Sequence, residues 1–243
     1  MRPRIAILGS FRKHWAGIAA TAATFRSLGC EVLSPAGEPV NPNEEFVRLD
    51  TDGAATEREI VFGVLAAVDR ADAVYFYNPD GYLGASAAVE MGYCLAVGKR
   101  FYTLAEPADE GHRAYATGPV ATPEEVVADL RAMRFEERLS ERASLPALQR
   151  YIDEMMQHRG FAGAANLQLM LLMVEEVGEL ARALRKPVGL KTDPEREAGR
   201  GPVQEELADV LIYLLALANG TGTDLAAALK QKEAQNGRRV WRA

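Results

Sequence analysis

The sequence predicts two folds in succession, an α/β unit built on a parallel sheet and then an all-α helical bundle. Three observations lead there. Up to about residue 137, short β-type runs alternate with helical ones, the order of a parallel sheet covered by helices. The run ADAVYFYN (71–78) is β-branched, aromatic and almost wholly apolar, as a strand buried on both faces must be. From residue 138 the β-signals vanish and helical periodicity takes over. The expected domains are therefore 1–137 and 138–243.

In the first half, RIAILG (4–9) reads as a strand ending at Gly9, and 14–29 as a helix closed by Gly29. EVLSP (31–35) is a second strand, stopped by Pro35. Residues 36–55, rich in Gly, Pro, Asn and Asp, form a long loop of the kind that often serves function. Residues 56–70 are helical, 71–78 the third strand, PDGYLG a turn, 85–97 a helix before Gly98, and 100–105 a fourth strand. TPEEVVADLRAM opens a helix with Thr122 as cap, Pro123 at its first position and two acids in its first turn. In the second half, helices are expected over 145–159, 166–186, 202–219 and 224–236, with Thr223 able to cap the last. Breaks fall at GFAGA, KPVGLKTDPEREAGRGP and NGTGT.

The composition narrows the function classes. Of 243 residues, 48% are hydrophobic and 26% charged, an ordinary soluble balance. A net charge of −6 argues against a nucleic-acid partner, which would call for a basic excess. Cys30 and Cys94 match no metal-ligand spacing and read as reduced core thiols. The start MRPRIAILGSF has too short an apolar run for a signal peptide, and VLIYLLALA (210–218) is far short of the ~20 residues that span a bilayer. A cytoplasmic protein with no membrane partner is the expectation.

The chemistry is most concentrated in LQLMLLMVEEVGELARAL. Glu175, Glu176 and Glu179 interrupt an apolar run and share about 100° of a helical wheel. Buried carboxylates are costly unless something positive accompanies them. PVQEELADVLIYLLALA repeats the theme with Glu205, Glu206 and Asp209. The helix dipole accounts for acids in the first turn after Pro202 but poorly for Asp209, which lies deeper and precedes a long apolar run. Two helices that each offer carboxylates one turn apart suit a hard divalent cation. Mg²⁺ is the expected one, since it accepts such oxygens and shares its shell with phosphates. Di-iron bundles need Glu-x-x-His pairs, and His158 has no such spacing.

VEEVGEL followed by EELADVL resembles the E-E-x-x-E … E-x-x-D pattern of the MazG-like nucleoside triphosphate pyrophosphohydrolases. LQRYIDEMMQHRGF and NLQLMLLMVEE are similar to that family's first helix, its R-G-aromatic turn and the opening of its second helix. KEAQNGRR fits a K-x-x-x-N-x-x-R element. The resemblance covers about residues 145–242 and implies a MazG-like four-helix bundle. It implies that Glu176, Glu179, Glu206 and Asp209 hold Mg²⁺, that Glu175 helps a further ion or orients the attacking water, and that Lys232, Asn236 and Arg239 contact phosphate oxygens. It also implies attack at the α-phosphorus, giving a monophosphate and pyrophosphate, and a homodimer or homotetramer.

In the α/β half, ligands are expected beyond the carboxyl ends of the strands. Ser10, Arg12 and Lys13 follow the first strand; Gly84, Ser86 and Glu90 follow the third. G-x-G-x-x-G is absent. LGSFR and VEMGYCLAVGK resemble the nucleoside 2-deoxyribosyltransferase superfamily, including its 5′-nucleotide N-glycosidase branch, over about residues 4–105. This implies a Rossmann-like (flavodoxin-like) sheet, Glu90 as the nucleophile at the sugar C1′, and a nucleotide or nucleoside at Ser10, Arg12, Gly84 and Ser86. Cys94 and Leu95 depart from the family's usual small residues. Asp72 and Asp80 are candidates for a second acid. A non-catalytic nucleotide sensor, or a bundle that only assembles, are the competing expectations.

Overall fold

The structure, a computed structural model, describes residues 2–42, 44–185 and 202–239. It divides into two compact units, Met1–Ala143 and Ser144–Ala243. Segment 138–143, expected with the helical half, packs on the α/β unit. There the Ser140 hydroxyl reaches the Val97 carbonyl at 3.4 Å and Arg142 donates to that of Leu95 at 3.1 Å.

The first unit runs β1 (Arg4–Gly9), α1 (Phe11–Ser27), β2 (Glu31–Ser34), α2 (Glu57–Arg70), β3 (Ala73–Tyr77), α3 (Ala85–Ala96), β4 (Phe101–Thr103), α4 (Glu110–Tyr115) and α5 (Pro123–Ala132). The strands form one parallel sheet in the order β2-β1-β3-β4. Alternate residues serve opposite faces, as strand pleating requires. Ile5, Ile7, Tyr75 and Tyr102 pack with Ile18 and Phe25 of α1 and with Val126 and Leu130 of α5. Ala6, Leu8, Val74 and Phe76 pack with Val68 of α2 and with Met91 and Cys94 of α3. The rings of Phe25 and Tyr75 meet edge-on at 5.3 Å, and the Tyr75 hydroxyl donates to the Ala121 carbonyl at 2.9 Å.

Two elements differ from expectation. Helix α1 begins at Phe11, ahead of residue 14, and is kinked at His14 (φ −127°, ψ 21°). Helix α4 has too little apolar periodicity to announce itself; it is started by Asp109, whose carboxylate accepts from the His112 N–H at 3.0 Å. The loop after β2 is ordered by local bonds: Pro39 bridges Leu49, and Asp52 accepts from the Leu49 N–H at 2.6 Å.

The second unit contains α6 (Leu145–His158), α7 (Asn166–Ala183), α8 (Val203–Gly220) and α9 (Leu225–Asn236). The break expected between α7 and α8 lies outside the described residues except for Pro202. Helix α8 packs along both α7 and α6, around Ile152, Met155, Leu169, Leu215 and Ala216. Helix α9 turns away from α8 by 97°. Asp224, not Thr223, caps α9 by accepting from the Ala227 N–H at 2.9 Å. Thr223 is engaged otherwise. Gln149 of α6, buried, donates to the Thr223 carbonyl (2.8 Å) and the Asn219 side chain (3.2 Å), and accepts from the Leu225 N–H (3.0 Å). One amide thus ties α6 to the α8–α9 turn.

A helix as continuously apolar as the first half of α7 is expected to be buried. Instead Leu167, Leu171 and Val174, at i, i+4 and i+7, are exposed, as are Leu207, Leu211 and Leu214 of α8 at the same spacing. No single helix among the described residues is long and apolar enough to cross a membrane.

Candidate functional site

Two places gather the candidate residues. The first is a carboxylate cluster on α7 and α8. Glu176 and Glu179 sit one turn apart on α7, and Glu206 lies in the first turn of α8, so packing the two helices side by side brings their acids together. One carboxylate oxygen from each of the three lies within 4.8 Å of the others. Oxygens that share one Mg²⁺ at about 2.1 Å stand roughly 3 to 4 Å apart, so small side-chain adjustments close this cluster around a cation. The donors, three carboxylates and nothing softer, are those a hard cation selects.

The charge state reports the crowding. Loss of water raises the Glu176 carboxyl above its ordinary range, and the negative charges of Asp209, Glu179, Glu206 and Glu175 add to the effect. Asp209 is thereby part of the same field, one turn beyond Glu206. Tyr213, one turn further, has its phenol raised by burial and by Glu176, Asp209 and Glu175. Sequence reading passed over Tyr213; its i+4 spacing from Asp209 was the available signal. Glu175 is exposed on the neighbouring flank, and Glu179 also pairs with Arg182. Lys232 and Arg239 are exposed, and the Asn236 amide meets the Glu233 carboxylate at 3.5 Å. None of these three belongs to the carboxylate group that α7 and α8 bring together.

The second place is the carboxyl edge of the sheet between β1 and β3. Their following helices, α1 and α3, cover opposite faces, so the edge opens into a crevice at this switch point. Ser10 is the N-cap of α1 and Gly84 that of α3; neither gives a side-chain cap, and at α1 the Lys13 and His14 N–H groups already donate to the Ser10 carbonyl at 3.1 and 2.8 Å. Arg12 and Ser86 are exposed. Glu90 is half-buried and has no hydrogen-bond or ion-pair partner among the described residues; burial raises its carboxyl to about 7. Asp80 is exposed in the turn after β3. Asp72 lies at the other end of β3, accepting from the Arg4 N–H at 2.7 Å and its guanidinium at 2.9 Å. It anchors strands and is not a second acid for Glu90.

Three rings that sequence reading did not single out line the same edge. His14 stands 6.2 Å from Tyr77 and 6.5 Å from Tyr82, and the Lys13 ammonium rests 3.6 Å over the Tyr82 ring. Gly17 makes room: a Cβ there would collide with the Tyr77 hydroxyl. Asn78, fully buried, exchanges bonds of 2.8 and 3.1 Å with Ala105 and fixes the ends of β3 and β4.

Comparison with known proteins bears on the helical unit. The model of the MazG nucleotide pyrophosphohydrolase domain matches residues 164–236. Human dCTP pyrophosphatase 1 is 44% identical over 75 residues, and the rat protein of that name 41% over 73. Each match covers 29% of this chain and 43% of the relative, so the chain spans less than half the length of the curated relatives it matches. A conserved protein from Enterococcus faecalis V583 superimposes at a TM-score of 0.36 with 15% identity, over 57% of this chain and all of its own; that likeness carries no weight here.

Proposed function

We propose that the helical unit is a Mg²⁺-dependent nucleoside triphosphate pyrophosphohydrolase, releasing pyrophosphate and leaving the nucleoside monophosphate. The observation that carries this is the convergence of Glu176, Glu179 and Glu206 from two helices within 4.8 Å, inside the segment that matches the MazG domain. Glu176, Glu179 and Glu206, with Asp209 one turn on, would hold the cation. Bound there, Mg²⁺ supplies charge neutralisation for the triphosphate and acidifies a water. Glu175, exposed beside the cluster, orients the attacking water and takes up its proton. The water oxygen bonds to the α-phosphorus as the bridge to the β-phosphate breaks, and pyrophosphate departs. Lys232, Asn236 and Arg239 on and after α9 bind phosphate oxygens. Likeness to dCTP pyrophosphatases makes dCTP the first substrate to test.

The deciding assay is pyrophosphate release from a panel of deoxy- and ribonucleoside triphosphates, with and without Mg²⁺. Release that requires the metal and disappears in Glu176→Gln supports the assignment; no release from any of the panel sinks it and leaves an assembly role.

For the α/β unit, Glu90 favours a second activity, cleavage of the N-glycosidic bond of a nucleotide or nucleoside. Its carboxylate, half-buried and unpartnered, would attack C1′ as the base leaves, and water would then free the sugar. Ser10, Arg12, Gly84 and Ser86 lie at the same edge and would hold the sugar and its phosphate. Free-base release from deoxynucleoside monophosphates, lost in Glu90→Ala, is the test; binding without base release would make the unit a sensor. The exposed leucine stripes of α7 and α8 further suggest that a second copy covers them, in a homodimer or homotetramer.

A further inference from the structure

The α/β crevice contains a polar atom that the fold does not use. His14 Nε2 is buried and has no hydrogen-bond partner among the described residues. Leaving a buried nitrogen unsatisfied is costly, and replacing it with an apolar group of similar shape would remove that cost. The backbone adds a second observation: His14 is the one residue of α1 with non-helical φ and ψ, and the kink falls at the helix's mouth on the carboxyl edge. The kink separates a short first turn, Phe11–Lys13, from the main body of α1 and sets the imidazole at the junction. The third observation is the setting. The imidazole is flanked by the rings of Tyr77 and Tyr82, the Tyr77 hydroxyl occupies space that only a glycine at 17 leaves, and the Lys13 ammonium lies over the Tyr82 ring.

We propose that His14 reads the ligand of this crevice, its Nε2 forming a hydrogen bond with an oxygen or nitrogen of a bound nucleoside monophosphate. The proposal rests on the α/β unit being a nucleotide-binding one, as proposed above. The ligand class follows from the surroundings: aromatic walls suit a planar base or the apolar face of a sugar, while the exposed cationic side chains of Arg12 and Lys13 suit a phosphate. The orphan nitrogen supplies directional discrimination, because an analogue lacking the matching polar group leaves it unpaired again.

The test uses the full chain in metal-free buffer, so that the carboxylate cluster has no cation through which to retain phosphate. The protein is labelled with ¹⁵N-histidine, whose three imidazoles are assigned by single replacements. It is then titrated with deoxynucleoside 5′-monophosphates, the free deoxynucleosides and inorganic phosphate. A shift of the His14 Nε2 resonance with a monophosphate supports the proposal; the other two arms show whether the sugar-base portion or the phosphate is read. In parallel, His14→Phe should bind the monophosphate about tenfold more weakly while its melting temperature holds or rises. Equal affinity in His14→Phe overturns the role of His14 but leaves the crevice a nucleotide site. Absence of any binding to the wild-type α/β edge overturns both. A fall in the melting temperature of His14→Phe, with no resonance shift in the wild type, shows a nitrogen that serves the fold alone.

Discussion

Glu206 of α8 is only 7% exposed, yet its carboxylate lies within 4.8 Å of that of Glu176 on α7. Like charges this close, with one of them withdrawn from water, oppose folding unless a cation joins them. Glu176, held above its ordinary value by burial and then by Asp209, Glu179, Glu206 and Glu175, stabilises the fold below its unfolded value and ceases to as pH rises past its raised one.

Metal-free protein should therefore lose stability as pH climbs out of the acid range, and Mg²⁺ at pH 8 should restore it. A concentration a hundredfold above the dissociation constant is worth about 2.7 kcal/mol. Glu176→Gln should raise metal-free stability and erase the response to Mg²⁺. Calorimetry with chelator and with Mg²⁺ measures both; an equal magnesium response in wild type and variant would place the ion elsewhere.

Glu90 gives a prediction in which activity and stability move in opposite directions. Burial lifts its carboxyl to about 7, so the folded chain prefers it protonated, and its contribution to stability is lost between about 4.5 and 7 as pH rises. Glu90→Gln should then be more stable than wild type at pH 8, by on the order of 2 kcal/mol. Acting as a nucleophile, Glu90 must be ionised, so base release should increase through pH 7 and vanish in the variant. A rate that falls across that range would point to an acid instead.

The leucine stripes of α7 and α8 should respond to charge. Leu171→Glu together with Leu211→Glu places carboxylates on surfaces that are already exposed in one copy, so the isolated fold should tolerate them. If a second copy covers the stripes, sedimentation should show the variant as a monomer and the wild type as a larger species. A wild type that sediments as a monomer at micromolar concentration removes the proposed partner.

Gln149→Leu should cost about 2–4 kcal/mol in chemical denaturation, despite adding apolar surface. It strands the Thr223 carbonyl, the Leu225 N–H and Asn219 Oδ1 together, while Asn219 Nδ2 keeps its bond to the carbonyl of residue 149. A cost under 1 kcal/mol would mean that water substitutes for the amide.

Much of the fold was legible because strand and helix periods differ. The alternation around ADAVYFYN located β3, and capping residues such as Thr122 located α5. Helix α4 was not, since its stability comes from a cap and local ion pairs with little apolar face. Of the carboxylates, spacing alone put Glu176 and Glu179 on one side of α7, but their meeting with Glu206 depends on how two helices pack, which no single period encodes. His14, Tyr77 and Tyr82 were invisible for a related reason. Each is ordinary in its own segment, and they become a group only where β1 and β3 lie side by side. Asp72 misled because its partner, Arg4, lies 68 residues away in sequence, and only the folded sheet brings the two together.

Gly17 is a middle-of-helix glycine whose missing methyl is occupied by the Tyr77 hydroxyl. A helix would gain about 1 kcal/mol from alanine there, so the position trades local helical preference for a neighbour's bulk. The two positions should consequently change as a couple over descent. In related chains, a side chain at 17 calls for something slimmer than tyrosine at 77, and a pairing of glycine with tyrosine would be a compact marker for lineages that keep this cleft.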